Sequence, residues 1–216
     1  INADYITIAT RCKPLVKASD IDVQPNNFEQ QGAFDAIMAS VQRFHDADRD
    51  SHIEHVFHFI AGPGGTGKSA LFKKLHSACR AAGILITICA ATTLAALLFE
   101  GATTAHSLFN YPVVEEEDVD DQNAAECQFK PERMEFLFEV EVIFWDEIVS
   151  SDRSLFEAVL KAMAISWELP RYYVFIAAGD FAQILPVVKG NDKAATLSAL
   201  ISSSNAAWSK FRKYTL

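Results

Sequence analysis

Val56-Phe57-His58-Phe59-Ile60-Ala61-Gly62-Pro63-Gly64-Gly65-Thr66-Gly67-Lys68-Ser69 is the stretch on which the fold turns. An apolar run of strand length stops at Ala61, and a glycine-rich turn follows at once, matching G-x-x-x-x-G-K-[ST] at every fixed position. After Lys68 the apolar residues Leu71, Phe72, Leu75 and Ala78 recur at the spacing of a helix with one buried face. Strand, loop and helix stand in the order that a phosphate-cradling turn requires. Glycines let successive backbone N–H groups curl around anionic oxygens, and the dipole at the helix N-terminus favours negative charge. In such a loop Lys68 reaches the β and γ phosphates and Ser69 holds Mg²⁺. The bland alternative, a glycine-rich turn that binds nothing, is opposed by both flanks.

Outward from this point, three more apolar runs recur, over residues 84–91, 140–145 and 172–178, each ending where small, hydroxyl or acidic residues begin. Their length and their β-branched and aromatic content fit strands buried on both faces. Helical patterns fall at 29–44, 68–82, 94–99, 105–109, 133–138 and 154–165, with Gly32 as a weak point of the first. This alternation predicts an α/β fold with a parallel sheet and helices on both faces.

The chain has 216 residues, 50% of them apolar, enough for one domain with a core of its own. The expected division is an N-terminal extension over 1–26 and one domain over 27–216, carrying an acidic loop at 113–130. Because the sequence starts at Ile1 and stops in a core-directed stretch at 209–216, it reads as a fragment. No run approaches the roughly 20 apolar residues that span a bilayer, so no membrane partner is expected. Cys12, Cys79, Cys89 and Cys127 are widely spaced and read as reduced, structural thiols. His52, His55 and His58 stand three apart, but extended backbone from Val56 splits their rings between faces, against a metal site. The net charge of −9 is local in origin: residues 113–129 carry seven acids and no Lys or Arg, leaving 21 acids against 19 bases elsewhere. The overall sign therefore does not exclude a phosphate-bearing partner.

Two further elements end apolar runs. Val142-Ile143-Phe144-Trp145 leads into Asp146-Glu147, which places Asp146 to hold Mg²⁺ and Glu147 to deprotonate an attacking water. Gly179-Asp180-Phe181-Ala182-Gln183 follows the fourth run, and Gln183 is suited to sense a γ-phosphate. Ligands in open α/β sheets bind at such strand ends. The alternatives are two acids solvating a strand end, and a turn closed by Asp180 and Pro186.

With Ala90-Ala91-Thr92-Thr93-Leu94-Ala95-Ala96 and Gly101-Ala102-Thr103-Thr104-Ala105-His106-Ser107 between these motifs, the order resembles the first RecA-like domain of superfamily-one DNA helicases of the Pif (petite integration frequency) family. Trp145, Ile184-Leu185-Pro186-Val187-Val188 and residues 109–112 look most like the Helitron-transposon branch. The resemblance implies a P-loop, RecA-like fold and an ATP- and Mg²⁺-dependent helicase moving 5′ to 3′ on single-stranded DNA. It also implies roles in repair, recombination and genome or telomere maintenance, and a nuclear location. By the same resemblance Asn27-Phe28-Glu29-Gln30 is the adenine-reading motif, with Gln30 on the base and Gly62, Gly64, Gly65, Thr66, Gly67, Lys68, Ser69 and Ala70 on the phosphates. Catalysis falls to Lys68, Asp146, Glu147 and Gln183, and DNA contact to Thr92, Thr93, His106 and Phe109. Helix caps at Thr92 or Thr93 and a core position for Phe109 stay open as alternatives.

The chain departs from the family pattern at Asn26, at Val149-Ser150-Ser151 and at Ala182. The family's second RecA-like domain, the expected partner, would supply arginines worth roughly 10³–10⁵ in rate, so this chain alone is expected to bind ATP–Mg²⁺ but turn it over slowly. The rival readings are a small-molecule kinase and an ATP-gated module that does not hydrolyse. No dense arginine segment follows the third strand, as a kinase lid would require.

Overall fold

The computed structural model describes residues 27–47, 55–112, 126–165, 173–183, 200–203 and 208–216. The proposed extension 1–26, most of the acidic loop, His52, Cys12, Ile184 and Pro186 lie outside them. Helix α1 (Phe28–Asp46) precedes β1 (Val56–Ala61), the phosphate loop and α2 (Lys68–Ala81). Then come β2 (Ile86–Ala90), a single turn α3 (Thr93–Ala96), β3 (Thr103–Thr104), α4 (Ala105–Phe109), α5 (Pro131–Glu139) and β4 (Val142–Asp146). A 3₁₀ turn (Ile148–Ser150), α6 (Arg153–Ile165), β5 (Val174–Gly179), a second 3₁₀ turn (Ile201–Ser203) and β6 (Phe211–Thr215) complete the order.

The six strands form one sheet, ordered β3-β2-β4-β5-β1-β6, and every pairing is parallel. Each central strand buries both faces, which is why it reads as an unbroken apolar run. On one face Val142, Phe144, Ile176 and Ile60 pack against Ile37 and Val41 of α1 and Leu71, Phe72 and Leu75 of α2. On the other, Ile143, Trp145, Phe57 and Phe59 pack against Phe109 of α4, Leu137 of α5 and Leu155, Phe156 and Val159 of α6. The result is a parallel sheet between two helical layers, as the alternation of patterns required.

Several boundaries differ from expectation. Helix α1 runs through Gly32, whose missing side chain faces open space, so the residue costs some propensity and no packing. The helix expected at 94–99 shrinks to one turn, capped by Thr92 Oγ1 accepting from Ala95 N at 3.2 Å. Past Ala96 the bonds tighten to the i−3 pattern, Leu98 N donating to Ala95 O at 3.2 Å and Phe99 N to Ala96 O at 3.1 Å, with Leu94, Leu97 and Leu98 exposed and Ala95, Ala96 and Phe99 buried. Strand β6 was not expected: Phe211 is buried, but Arg212 and Lys213 face outward on this edge and mask the strand pattern. His55 and His58 point to opposite faces, His55 stacked on Tyr173 and His58 against Tyr214. Cys79 and Cys89 are buried free thiols.

Candidate nucleotide-binding site

The phosphate loop joins β1 to α2 at the carboxyl edge of the sheet. Gly65 and Gly67 have φ of 84° and 90°, left-handed values that side chains resist. Gly62 answers a different constraint: a Cβ there would come within 2.7 Å of Thr66 Oγ1 and 3.0 Å of the Leu216 carbonyl. Thr66 closes the turn, its hydroxyl donating to Pro63 O at 2.9 Å. Lys68, on the first turn of α2, donates from Nζ to Gly62 O at 2.5 Å and to Pro63 O at 2.9 Å. Its ammonium is thus held over the loop it serves. Ser69 lies beside it, half-buried, and Ala70 is exposed.

Asp146 is the last residue of β4 and is 5% exposed. Burial pushes its carboxyl up to about 6; the Glu147 N–H, donating to Oδ1 at 3.0 Å, and the Lys68 charge pull the other way, while the Glu147 charge adds to the rise. The carboxylate therefore stands short of compensating positive charge. A carboxylate and a hydroxyl are hard oxygen donors, the kind that suit a small divalent cation, so Asp146 and Ser69 are each of a chemistry that fits Mg²⁺.

Glu147 adopts φ 53°, ψ 33°, a left-handed backbone unusual for a non-glycine residue. That conformation turns the chain sharply off the strand end into the 3₁₀ turn, with Ser150 N bonded to Glu147 O at 2.9 Å. Such outliers concentrate at functional sites. Past β5, Asp180 organises a tight turn: its carboxylate accepts from Ala182 N at 2.9 Å, and its carbonyl from Gln183 N at 3.1 Å. Asp180 thus closes a turn, with Pro186 outside the described residues, and this turn delivers the Gln183 amide to the phosphate loop, 3.4 Å from where a Cβ on Gly64 would stand. Phe181 anchors the turn from below, tilted on Phe59 and edge-on to Trp208.

Gln30 reaches the loop from the first turn of α1. Its Nε2 donates to Thr66 O at 2.9 Å, while Asn27 and Gln30 cap α1 reciprocally. The structure thus brings together Gln30, Gly62, Gly64, Gly65, Thr66, Gly67, Lys68, Gln183 and, through its charge, Asp146.

The proposed DNA-contacting residues form a second group at the ends of β2 and β3. Thr92 is exposed, its hydroxyl oxygen accepting at the α3 cap, and Thr93 is exposed on that turn. His106 is half-buried, with Tyr111 edge-on at 5.7 Å. Phe109 is a correction: it is 0% exposed and tilted against Trp145 at 5.6 Å, so it is a core residue and offers no face to a base. Sequence reading missed Val149, whose two Cγ atoms fill the space above Gly179 and lock the Glu147 turn onto β5. The glycine directly before Asp180 was the available signal.

Sheet order, loop and strand-end acids together define a nucleotide-binding domain of the P-loop, RecA-like class. The model of the family described as PIF1-like helicase matches residues 26–216, and the chain belongs to that family. The ATP-dependent DNA helicase dda of Enterobacteria phage T4 is 30% identical over 172 residues, 76% of this chain and 34% of that protein. The crystal structure of Pif1 helicase from Candida albicans matches with TM-score 0.63 and 23% identity, over 90% of this chain and 40% of that one. Bacteroides Pif1 bound to ssDNA gives 0.62 and 22%, over 90% and 42%. The chain thus spans about a third of dda and about four-tenths of these Pif1 chains.

Proposed function

We propose that this chain is the nucleotide-binding lobe of an ATP-dependent DNA helicase that moves 5′ to 3′ on single-stranded DNA and works with a second RecA-like lobe. The observation that carries the reading is the meeting of Lys68, Asp146 and Gln183 at the ends of three neighbouring strands, β1, β4 and β5. Lys68 and the loop N–H groups bind the triphosphate, and Gln30, at the rim, reads the adenine. Ser69 and Asp146 hold Mg²⁺, which when bound neutralises phosphate charge. Glu147 orients the attacking water and takes its proton, and the left-handed backbone aims it away from the strand axis. Gln183 hydrogen-bonds the γ-phosphate and reports its loss. Thr92, Thr93 and His106 border the DNA path, where hydroxyls serve phosphates and the imidazole serves a base.

The test is calorimetric titration of ATP–Mg²⁺ into this chain and its Lys68→Ala variant, with and without a single-stranded oligonucleotide. Binding that weakens sharply in the variant, and that in the parent strengthens with DNA, supports the helicase lobe. Tight binding unaffected by DNA, together with phosphate transfer to a small acceptor, would replace it with a kinase.

A further inference from the structure

The Gln30 carboxamide is held at both ends. Oε1 accepts from Asn27 N at 3.3 Å and Nε2 donates to Thr66 O at 2.9 Å, a bond that joins the start of α1 to the middle of the phosphate loop. The seat for the amide exists because Gly67 has no side chain: a Cβ there would fall on Gln30 Nε2. Glycine is therefore required twice at this position, for its φ of 90° and for the room it leaves.

The bond reaches the ligand through peptide geometry. In a planar trans peptide the N–H points opposite to the C=O, so holding the Thr66 oxygen towards α1 turns the Gly67 N–H the other way. In a loop that binds anions through successive backbone N–H groups, the Gly67 N–H is one of the donors. The bookkeeping of Gln30 allows this alongside base contact: two N–H groups and two oxygen lone pairs are present, and one of each is used.

We propose that Gln30 is a positioning residue for the phosphate loop, acting through the Thr66 carbonyl on triphosphate binding whether or not a base is present. This deepens the nucleotide reading above and rests on it. Inorganic tripolyphosphate, a triphosphate without a base, isolates the effect. Its binding and that of ATP are measured by calorimetry with Mg²⁺ on the parent chain and on Gln30→Ala, Gln30→Glu and Asn27→Ala, with circular dichroism reporting helix content. Gln30→Glu keeps an oxygen for the α1 cap and loses the donor to Thr66; Asn27→Ala weakens the cap and keeps that donor.

The expected result is a loss of roughly three- to tenfold in tripolyphosphate affinity for both Gln30 variants, the size of one net hydrogen bond, with Asn27→Ala within about twofold of the parent. Unchanged tripolyphosphate affinity with ATP alone weakened overturns the inference and leaves Gln30 a base contact only. An equal loss in Asn27→Ala also overturns it, because helix capping would then explain the effect. A parent that binds ATP but no tripolyphosphate refutes base-independent action. A parent that binds neither removes the nucleotide reading, and the inference with it.

Discussion

Gly179 is the residue whose replacement tests the packing behind the proposed general base most directly. An alanine there would set its methyl carbon 2.8 Å from both Cγ atoms of Val149 and 3.3 Å from its Cβ. Carbon pairs are comfortable at roughly 3.5–4.0 Å, so the overlap is about 0.7–1.2 Å at two atoms. Val149 is 1% exposed and β5 is hydrogen-bonded on both sides, so neither partner has room to withdraw. Overpacking of this kind costs about 1–3 kcal/mol, and each kcal/mol is worth about 2–4 °C in Tm for a domain of this size. Thermal unfolding followed by circular dichroism on Gly179→Ala, Val149→Ala and the double variant isolates the contact. Removing the two Cγ atoms leaves only the 3.3 Å contact, so the double variant is expected to lose at least about 1 kcal/mol less than the two single losses combined. Because Val149 sits two residues from Glu147, Gly179→Ala should also slow ATP hydrolysis more than it weakens ATP binding, with Val149→Ala restoring part of the rate. Additive losses within about 0.5 kcal/mol would refute the reasoning.

Lys68→Ala should weaken ATP binding by about 10- to 100-fold, the worth of charge-assisted hydrogen bonds to phosphate, as read by calorimetry. Glu147→Gln should leave ATP affinity within a few-fold and cut single-turnover hydrolysis by about 10²–10⁴, and an unchanged rate would remove Glu147 from the role of base. Acid should unfold the chain partly through His58, whose imidazole burial, then Arg212 and Arg43, lower to about 4. The unfolded imidazole takes its proton first, so this contribution is intact above pH 6.5 and is lost as pH falls towards 4, about 3 kcal/mol in all. His58→Leu should flatten that limb of a stability–pH curve only in part, since His55 is lowered to about 4 as well and burial lowers His76 and His106. Phe109→Ala should cost about 3–5 kcal/mol of stability as a cavity mutant, while oligonucleotide affinity measured on the folded chain stays unchanged.

The central strands were legible because burial on both faces writes itself as a continuous apolar run, and the phosphate loop because its backbone conformation admits few residues besides glycine. Asp146 and Glu147 were legible for the same reason: an abrupt change from apolar to acidic marks a strand end. Strand β6 was not, since Lys and Arg on an edge strand look like solvated surface whether or not backbone pairing lies beneath. Phe109 shows a second limit, because an aromatic near a motif is compatible with a base platform or with a core, and only its packing on Trp145 decides. The bond from Gln30 to Thr66 spans 36 residues, and no local pattern announces it. Val149 against Gly179 is of the same kind, a contact made by the return of the chain.

The sheet order carries a metric consequence. Strand β5 lies between β1 and β4, so the loop bearing Lys68 and the turn bearing Glu147 are separated by two interstrand steps. Each step is about 4.8 Å, which puts the two strand ends about 10 Å apart, room for a phosphoryl group with a water in line behind it. Backbone hydrogen bonding fixes that length, and side-chain identity hardly enters it. A ruler built from main-chain atoms survives replacement of most surrounding residues, which is how relatives at 22–23% identity can keep the same gauge.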